Sequence, residues 1–169
     1  MKLFITGSTG FVGSHVLKQA LKDGHQVLAH RRTPNSRPSV SLQTQPTWIE
    51  KPLSNINKCD LNHIDAIIHL AATGVSPRTA PWNELNEINI GSTMDMCFLA
   101  KIINACIVIS GSFAEYGLSG LRYDLIPANA PLEPTFPYAA SKAAASILSL
   151  SYARSENLLL SYFRIFNAF

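Results

Sequence analysis

Three evenly spaced glycines follow a short apolar run at the very start of the chain. The glycines are Gly7, Gly10 and Gly13. Apolar residues then recur at helical spacing from Phe11 until Gly24, and a second apolar run occupies residues 26–29. A strand, a glycine-rich turn, a helix and a second strand in this order bring backbone N–H groups close to an anion at the helix N-terminus. The chain is therefore predicted to begin with a phosphate-binding βαβ unit, with the spacing G-x-x-G-x-x-G.

The rest of the chain continues the alternation of strands and helices. Strands are predicted at 48–50, 65–72, 107–110 and 158–163, and helices at 85–105 and 138–157. This pattern indicates an α/β fold with a doubly wound parallel sheet. A stretch with three prolines, residues 111–137, is longer than most structureless connections, so we expect it to face a substrate.

Composition limits the kinds of protein this chain can be. Its 169 residues suit one domain, and 14 basic against 11 acidic residues give a net charge of only +3, without a basic run that would indicate nucleic-acid binding. The three cysteines have no metal-binding spacing, so we expect free thiols and no metal. No apolar run is long enough to cross a membrane. We expect a soluble, cytoplasmic protein.

Two arginines follow the predicted second strand, where this architecture places the adenosine ribose of a dinucleotide. An acidic residue there would bind the 2′-hydroxyl of NAD, but the chain has Arg31 and Arg32 instead. Guanidinium groups pair well with a 2′-phosphate, which favours NADP, with NAD as the alternative. Solvated arginines in a surface loop remain a competing interpretation.

A tyrosine and a lysine stand four residues apart at the start of a predicted helix. Tyr138 and Lys142 therefore share one helix face, where an ammonium can stabilise a phenolate and make the tyrosine a usable acid or base. Ser112 follows the strand at 107–110, at the sheet edge where such folds bind ligands. The spacing alone also fits an ordinary pair of surface residues.

Six motifs in order make the chain resemble the extended short-chain dehydrogenase/reductase family, the NAD(P)-dependent epimerases and dehydratases of nucleotide sugars. The resemblance covers nearly the whole chain, and the order and spacing of the motifs are more specific than any one of them. The motifs are TGSTGFVG at 6–13, HLAA at 69–72, NIGST at 89–93, GSFAEYG at 111–117, YAASK at 138–142 and RIFN at 164–167.

The resemblance implies a Rossmann fold and a catalytic triad. Ser112 would hydrogen-bond the sugar oxygen, Tyr138 would be the acid/base, and Lys142 would bind the ribose and lower the pKa of the tyrosine. Asn89 would hold the helix and the active-site backbone in register. His69 is expected to be a packed residue rather than a catalyst. Arg31 and Arg32 are assigned to the cofactor by their position after the second strand. The other residues assigned to it are Gly7, Thr9, Gly10, Phe11, Val12, Gly13, Leu70, Ala71, Ala72, Asn89, Tyr138 and Lys142.

The residues after Ser112 distinguish members of this family. Dehydratases carry an acidic pair there, whereas this chain has Phe113 and Ala114, and Glu115 is expected to point elsewhere. The motif GSFAEYG resembles the corresponding motif in reductases of nucleotide-linked 4-keto-6-deoxy sugars, so hydride transfer at C4 is the predicted reaction. A 4-epimerase using bound NAD is the alternative within the enzymes, and a catalytically inactive cofactor-binding or protein-interaction module is the alternative outside them.

The family pattern also sets expectations for domains and assembly. Members continue into a smaller C-terminal domain that grips the nucleotide sugar, so residues 1–169 are expected to be a Rossmann domain truncated at its C-terminal end. Members commonly dimerise through the helices equivalent to 85–105 and 138–157, which predicts a homodimer. Asp60 lies too close to the strand at 65–72 to be assigned to the adenine site.

Overall fold

The computed structural model describes residues 1–75 and 78–167, which form a six-stranded parallel sheet flanked by helices. The strand order is β3-β2-β1-β4-β5-β6. The strands are β1 Lys2–Thr6, β2 Gln26–His30, β3 Thr47–Ile49, β4 Ala66–His69, β5 Cys106–Ser112 and β6 Leu160–Ile165. The helices are α1 Phe11–Lys22, α2 Trp82–Glu84, α3 Ser92–Ile102 and α4 Pro137–Glu156. The predicted doubly wound Rossmann sheet is confirmed.

The strand order reverses between β1 and β4, and this pair positions the site. Thr6 at the end of β1 is in register with His69 at the end of β4. In sheets of this kind, ligands bind in the crevice outside the carboxyl ends of the strands at such a reversal. The turn after β1 and the segment after β4 therefore face the same crevice.

Apolar side chains cover both faces of the sheet. On one face, α1 contributes Leu17 and Ala20 to a buried cluster with residues of β1 and β2. On the other face, α3 contributes Met96 and Ala100 to a cluster that includes Phe4. Removing these surfaces from water favours the two-sided packing that makes the sheet a rigid platform for the loops at its carboxyl edge.

Several elements differ from their predicted bounds. β5 runs two residues further than expected because Ser112 still pairs with Ile165 of β6. Ser112 is thus the last residue of a strand rather than a loop residue. The helix predicted at 85–105 begins earlier, with α2, and α2 is joined to α3 by a π-helical turn, Leu85–Gly91.

The long connection after β5 is folded rather than structureless. It contains two 3₁₀ turns, Phe113–Glu115 and Leu118–Arg122. Backbone hydrogen bonds join Leu118 N–H to the Glu133 carbonyl oxygen at 3.1 Å, and Glu133 N–H to the Tyr116 carbonyl oxygen at 3.2 Å. The connection therefore doubles back on itself and packs beside the carboxyl end of β5.

Within residues 1–75 and 78–167, no helix combines the length and the apolar character needed to span a bilayer. The same ranges contain no group of three or more His, Cys, Asp or Glu side chains placed to hold a metal ion.

Candidate active site

The glycine turn after β1 is packed too tightly for side chains. Gly7 has φ +66°, and a Cβ there would lie 2.7 Å from the backbone nitrogen of Ala71. A Cβ on Gly13 would lie 2.0 Å from the Gly7 carbonyl oxygen. Gly10 closes the turn by donating its N–H to that same oxygen at 3.0 Å. The glycines therefore let α1 begin directly against the turn, with the segment after β4 beside it.

The N-terminus of α1 provides a cradle that fits a phosphate group. Gly10 is the N-cap and offers no side chain to the first turn, so the leading N–H groups of the helix, from Phe11, Val12 and Gly13, lack intrahelical partners. Thr9 is half-buried in the turn. Backbone N–H groups and the positive end of the helix dipole favour an anion here. The residues present fit the pyrophosphate of a dinucleotide.

Thr6 fixes the segment after β4 that forms the opposite wall of the crevice. Its hydroxyl oxygen accepts hydrogen bonds from the N–H groups of Leu70 at 3.1 Å and Ala71 at 3.2 Å. Leu70, Ala71 and Ala72 are half-buried and, apart from Leu70, small. This wall leaves room for a flat group to lie close to the backbone, as the sequence predicts for the HLAA motif.

His69 is a buried structural residue. Its Nδ1 lies 2.9 Å from the Thr6 hydroxyl and its Nε2 lies 3.2 Å from the Thr93 hydroxyl. Burial, with a smaller contribution from the charge of Lys142, lowers the pKa of His69 to about 3. The ring is therefore neutral near pH 7 and ties β4 to β1 and α3.

The two arginines after β2 are not equivalent. Arg31 forms a salt bridge with Glu50 through both Nε and Nη2, and its guanidinium lies over the Trp48 ring, 4.7 Å from the centroid. Arg32 is exposed. From the sequence, Arg31 and Arg32 are equivalent candidates. In the structure, Arg31 pairs with the Glu50 carboxylate just after β3, whereas Arg32 faces solvent.

Ser112, Tyr138 and Lys142 converge at the carboxyl edge of the sheet. Ser112 ends β5, and Tyr138 is the second residue of α4, after Pro137. Proline suits this first helical position because the N–H that it lacks would have no partner there. Lys142 follows one turn later on the same face. Burial raises the pKa of the Tyr138 phenol, and a hydrogen bond with the Ser112 side chain partly opposes this rise.

The electrostatics of Tyr138 differ from the sequence-based expectation. Lys142 is almost fully buried and donates a hydrogen bond from Nζ to the Ser110 carbonyl oxygen at 2.7 Å. Burial raises the pKa of Tyr138 above its usual value, and this outweighs the opposite effect of Ser112. Burial also lowers the pKa of Lys142 to about 8, against the opposing charge of Glu115. The pKa of Tyr138 therefore lies above its usual value, whereas the sequence predicts a pKa lowered by the adjacent ammonium.

Asn89 lies in the π-helical turn and is completely buried. Its Oδ1 accepts from Thr73 N–H at 2.9 Å, and its Nδ2 donates to the Thr73 carbonyl oxygen at 3.0 Å and to Ser141 Oγ at 2.8 Å. Ser141 in turn donates to the Tyr138 carbonyl oxygen at 2.8 Å. Asn89 thus joins the segment after β4 to the first turn of α4. Its amide is engaged by protein atoms, which fits a role in holding the backbone in register.

Sequence reasoning missed several partners of the predicted site residues. Glu115 does turn away from the site, but it is buried and paired with Arg164. The roles of Thr6, Ser110 and Glu50 were also not foreseen. An arginine inside an apolar strand was the available signal for Glu115, since a buried guanidinium needs a carboxylate partner. A carbonyl oxygen such as that of Ser110 leaves no signal in a sequence.

A family model extends these observations to known proteins. Residues 3–169 match the model of the NAD dependent epimerase/dehydratase family. The chain belongs to this family, as its motifs and its sheet indicate.

Named relatives within the family catalyse different reactions. The chain is 26% identical to UDP-glucuronic acid decarboxylase 1 of Danio rerio, covering 99% of this chain and 41% of the relative. It is also 26% identical to a probable UDP-glucuronate 4-epimerase of Rhizobium meliloti, covering 100% of this chain and 54% of the relative. The chain therefore spans about half the length of the curated relatives that it matches.

A solved structure with bound ligands has the same architecture. MoeE5 in complex with UDP-glucose and NAD superposes with a TM-score of 0.78 at 28% identity, covering 96% of this chain and 52% of MoeE5. Structural neighbours thus bind NAD and nucleotide sugars, and they share the fold that positions the crevice described above.

Proposed function

We propose that the protein transfers hydride between a nicotinamide dinucleotide and C4 of a nucleotide-linked sugar, with Tyr138 as the acid/base. The observation that carries this proposal is the pairing of Ser112, at the end of β5, with Tyr138, at the start of α4, on the carboxyl edge of the sheet that also carries the glycine cradle. Hydroxyl groups at this edge can reach a sugar oxygen, and the cradle fits the dinucleotide phosphates.

The cofactor, when bound, supplies or accepts the hydride at the sugar carbon. In the reducing direction, Tyr138 gives its phenolic proton to the sugar oxygen as the C4 carbonyl becomes an alcohol; in the oxidising direction it takes that proton back. Ser112 hydrogen-bonds the same oxygen and orients it. Lys142, held by the Ser110 carbonyl oxygen, places a positive charge beneath the site and stabilises the phenolate when the proton leaves.

The favoured reaction is reduction of a nucleotide-linked 4-keto-6-deoxy sugar, because Phe113 and Ala114 occupy the positions of the dehydratase acids. A 4-epimerase is the second candidate, since one relative is a probable UDP-glucuronate 4-epimerase. The two reactions differ in cofactor use. A reductase consumes one equivalent of cofactor per sugar, whereas an epimerase oxidises and re-reduces the same carbon without net consumption.

NADP is the proposed cofactor, with NAD as the alternative. Arg32 is exposed at the end of β2, and Arg31 lies beside it with a carboxylate partner that a phosphate can replace. The complex of MoeE5 contains NAD, and this supports the alternative.

We also propose a homodimer located in the cytoplasm. Apolar side chains on the outer surfaces of α3 and α4 support the assembly: Phe98, Ile102 and Leu148 are each more than 40% exposed. These helices correspond to the predicted segments 85–105 and 138–157. The three cysteines, Cys59, Cys97 and Cys106, are free thiols, which fits a reducing compartment.

The Tyr138→Phe variant tests the reaction. We expect turnover of a UDP-linked 4-keto-6-deoxyglucose with NADPH to fall about 100-fold or more, because the transferable proton is lost. Binding of NADPH, measured by calorimetry, should be retained. The matched control is Tyr152→Phe on the same helix, which keeps its ring and should keep full activity.

Other outcomes separate the candidates. Interconversion of UDP-glucuronic acid and its C4 epimer without net cofactor consumption would replace the reductase by the 4-epimerase. Full activity of Tyr138→Phe would remove Tyr138 from the mechanism. Binding of cofactor without turnover of either sugar by the unmodified protein would favour the catalytically inactive module.

A further inference from the structure

A buried carboxylate lies directly behind Ser112. Glu115 is completely buried in the 3₁₀ turn that follows β5. Its Oε1 accepts the backbone N–H of Ser112 at 2.8 Å, while the Ser112 hydroxyl accepts the N–H of Ala114 at 3.2 Å. These reciprocal bonds form a capping box, so the backbone and the side chain of Ser112 are both fixed by the turn that Glu115 closes.

The same carboxylate oxygen reaches the catalytic helix through a tyrosine of β6. Tyr162 donates from its hydroxyl group to Glu115 Oε1 at 2.9 Å, and this hydroxyl also lies 3.3 Å from the Lys142 carbonyl oxygen. Gly111 makes room for this arrangement, since a Cβ there would lie 2.2 Å from the Tyr162 ring and 2.6 Å from Glu115 Oε1. One oxygen atom therefore connects the strand end that carries Ser112 to the helix that carries Tyr138 and Lys142.

The other carboxylate oxygen binds the counter-charge. Arg164 Nε donates to Glu115 Oε2 at 2.7 Å. Arg164 Nη1 also reaches the Ala128 carbonyl oxygen at 3.1 Å, and its guanidinium lies over the Tyr116 ring, 4.9 Å from the centroid. The ion pair thus ties the connection 117–136 to β6. The end of β5, the connection after it and β6 therefore share one polar cluster around Glu115.

A buried ion pair is a poor way to gain stability. Desolvation of the two charges offsets much of their attraction, and apolar residues of similar volume often stabilise a protein as well or better. In this protein, however, both oxygens of Glu115 are bonded to elements that carry or border Ser112, Tyr138 and Lys142. The geometry of those bonds is specific in a way that apolar packing is not.

We propose that Glu115, with Tyr162 and Arg164, is a positioning residue that sets the orientation of Ser112 relative to the start of α4. This inference rests on the proposed function, because it assigns Glu115 a role in the same C4 chemistry. Glu115 does not touch the substrate; it acts through Ser112 and through Tyr162.

The charge of Glu115 is also felt at the site. Burial raises the pKa of Tyr138, and the negative charge of Glu115 adds to this. The same charge opposes the lowering of the Lys142 pKa by burial. The other charged or titratable groups around this pair are His69 on β4, Tyr116 after β5, and Tyr162 and Arg164 on β6. Replacing Glu115 by a neutral residue removes a negative charge near Tyr138 and leaves the positive charge of Arg164 uncompensated. Both effects lower the pKa of Tyr138.

The Glu115→Gln variant tests the inference, with Glu133→Gln as the matched control. Both glutamates lie in the connection after β5 and pair with an arginine, but Glu133 and Arg122 form an exposed pair. Glu115→Gln keeps the size and one acceptor oxygen and loses the charge. We expect kcat to fall about ten- to hundredfold while KM for the cofactor stays constant, since small displacements of reacting groups are costly. Glu133→Gln should leave kcat unchanged.

One further readout and two further variants separate positioning from a loss of stability. The Tyr138 phenol, followed by NMR of ¹³C-labelled tyrosine and identified by its absence in Tyr138→Phe, should titrate at lower pH in Glu115→Gln and at its original pH in Glu133→Gln. Glu115→Asp should restore this titration but not kcat, because its carboxylate is one methylene too short to reach both partners. If Glu115→Gln fails to fold, Tyr162→Phe removes only the link to Lys142 and should still lower kcat.

The outcomes distinguish this inference from the proposed function. Equal kcat and equal Tyr138 titration in the two glutamine variants would overturn the positioning role, even with a fully active enzyme. If the Tyr138 phenol titrates at lower pH in Glu115→Gln but the unmodified protein turns over neither sugar, the proposed reaction is overturned and the effect of Glu115 on Tyr138 remains.

Discussion

Gly13 lies against the Gly7 carbonyl oxygen so closely that a Cβ on Gly13 would be 2.0 Å from it. The Gly13→Ala variant must therefore push α1 away from the turn after β1. We expect a loss of about 1–3 kcal/mol in the free energy of unfolding and a large loss of affinity for NADPH, because the cradle at the helix N-terminus opens. Urea denaturation and calorimetric titration measure the two effects.

Gly91→Ala is the control for this substitution. Gly91 is also helical, but a Cβ there would meet only the Asn86 carbonyl oxygen, at 3.5 Å. Alanine should be neutral or stabilise the helix by up to about 1 kcal/mol, with cofactor affinity unchanged. Equal cofactor affinity of Gly13→Ala and the unmodified protein would mean that the turn does not bind phosphate.

Replacing Asn89 by alanine should uncouple the segment after β4 from the first turn of α4. The backbone of Thr73 and the hydroxyl of Ser141 would lose their buried partner, at a cost of about 1–3 kcal/mol in the free energy of unfolding. We expect kcat to fall further than this loss of stability explains at a temperature where the variant is folded. Asn86→Ala, an exposed position on the same helical segment, should change neither quantity.

The stability of the protein should decrease in acid through His69. Its pKa is about 3 in the folded protein and has its usual value of 6.5 when the chain unfolds. Between these two pH values, the unfolded chain binds a proton that the folded chain does not. The free energy of unfolding should therefore decrease, by about 1.4 kcal/mol for each pH unit below 6.5. Urea denaturation from pH 7 to pH 4 measures the slope.

His69→Asn should reduce that slope, because asparagine does not titrate in this range. Part of the slope should remain, since burial also lowers the pKa of His30. His63→Asn is the control: His63 is exposed and has φ +58°, a conformation that asparagine adopts readily. This control should keep the slope of the unmodified protein. An unchanged slope in His69→Asn would assign the acid sensitivity to other groups.

The pairing of Arg31 with Glu50 makes a sharper test of cofactor choice than the arginines alone. Glu50→Gln leaves Arg31 without its carboxylate partner, so its charge becomes available to a 2′-phosphate. We expect the Kd for NADPH to fall and the Kd for NADH to stay constant. Arg32→Ala should weaken NADPH more than NADH. If every variant keeps the same ratio of the two Kd values, the 2′-phosphate does not bind here and NAD is the cofactor.

The fold could be predicted because its signals are local. The glycine turn, the apolar strands and the helical periodicity each reflect forces that act over a few residues, and their order dictates a parallel sheet. The bounds were less accurate where pairing across the sheet decides them. β5 continues to Ser112 because β6 offers a partner up to Ile165, and the sequence of β5 alone does not contain that information.

The candidate site could be predicted from the sequence only where the type of a side chain indicates its chemical role. Ser112, Tyr138 and Lys142 could be named, and the structure brings them to one edge of the sheet. The partner of Lys142 is a backbone carbonyl oxygen, and the partner of Arg31 comes from a different strand. Neither leaves a pattern in the sequence. The pKa of Tyr138 could not be predicted either, because burial is a property of the folded molecule.

The π-helical turn between α2 and α3 has a consequence for how this helical segment tolerates change in length. At its end, the N–H of Ser92 donates to the carbonyl oxygen of Glu87, five residues back, so the segment holds one residue more than a regular helix needs. Deleting one residue from this wide turn would remove that surplus, so the segment could close as a regular helix with its flanking turns in place. A deletion within the regular helix α3 has no surplus to remove, and it would rotate the buried side chains that follow, such as Met96 and Cys97, by about 100°.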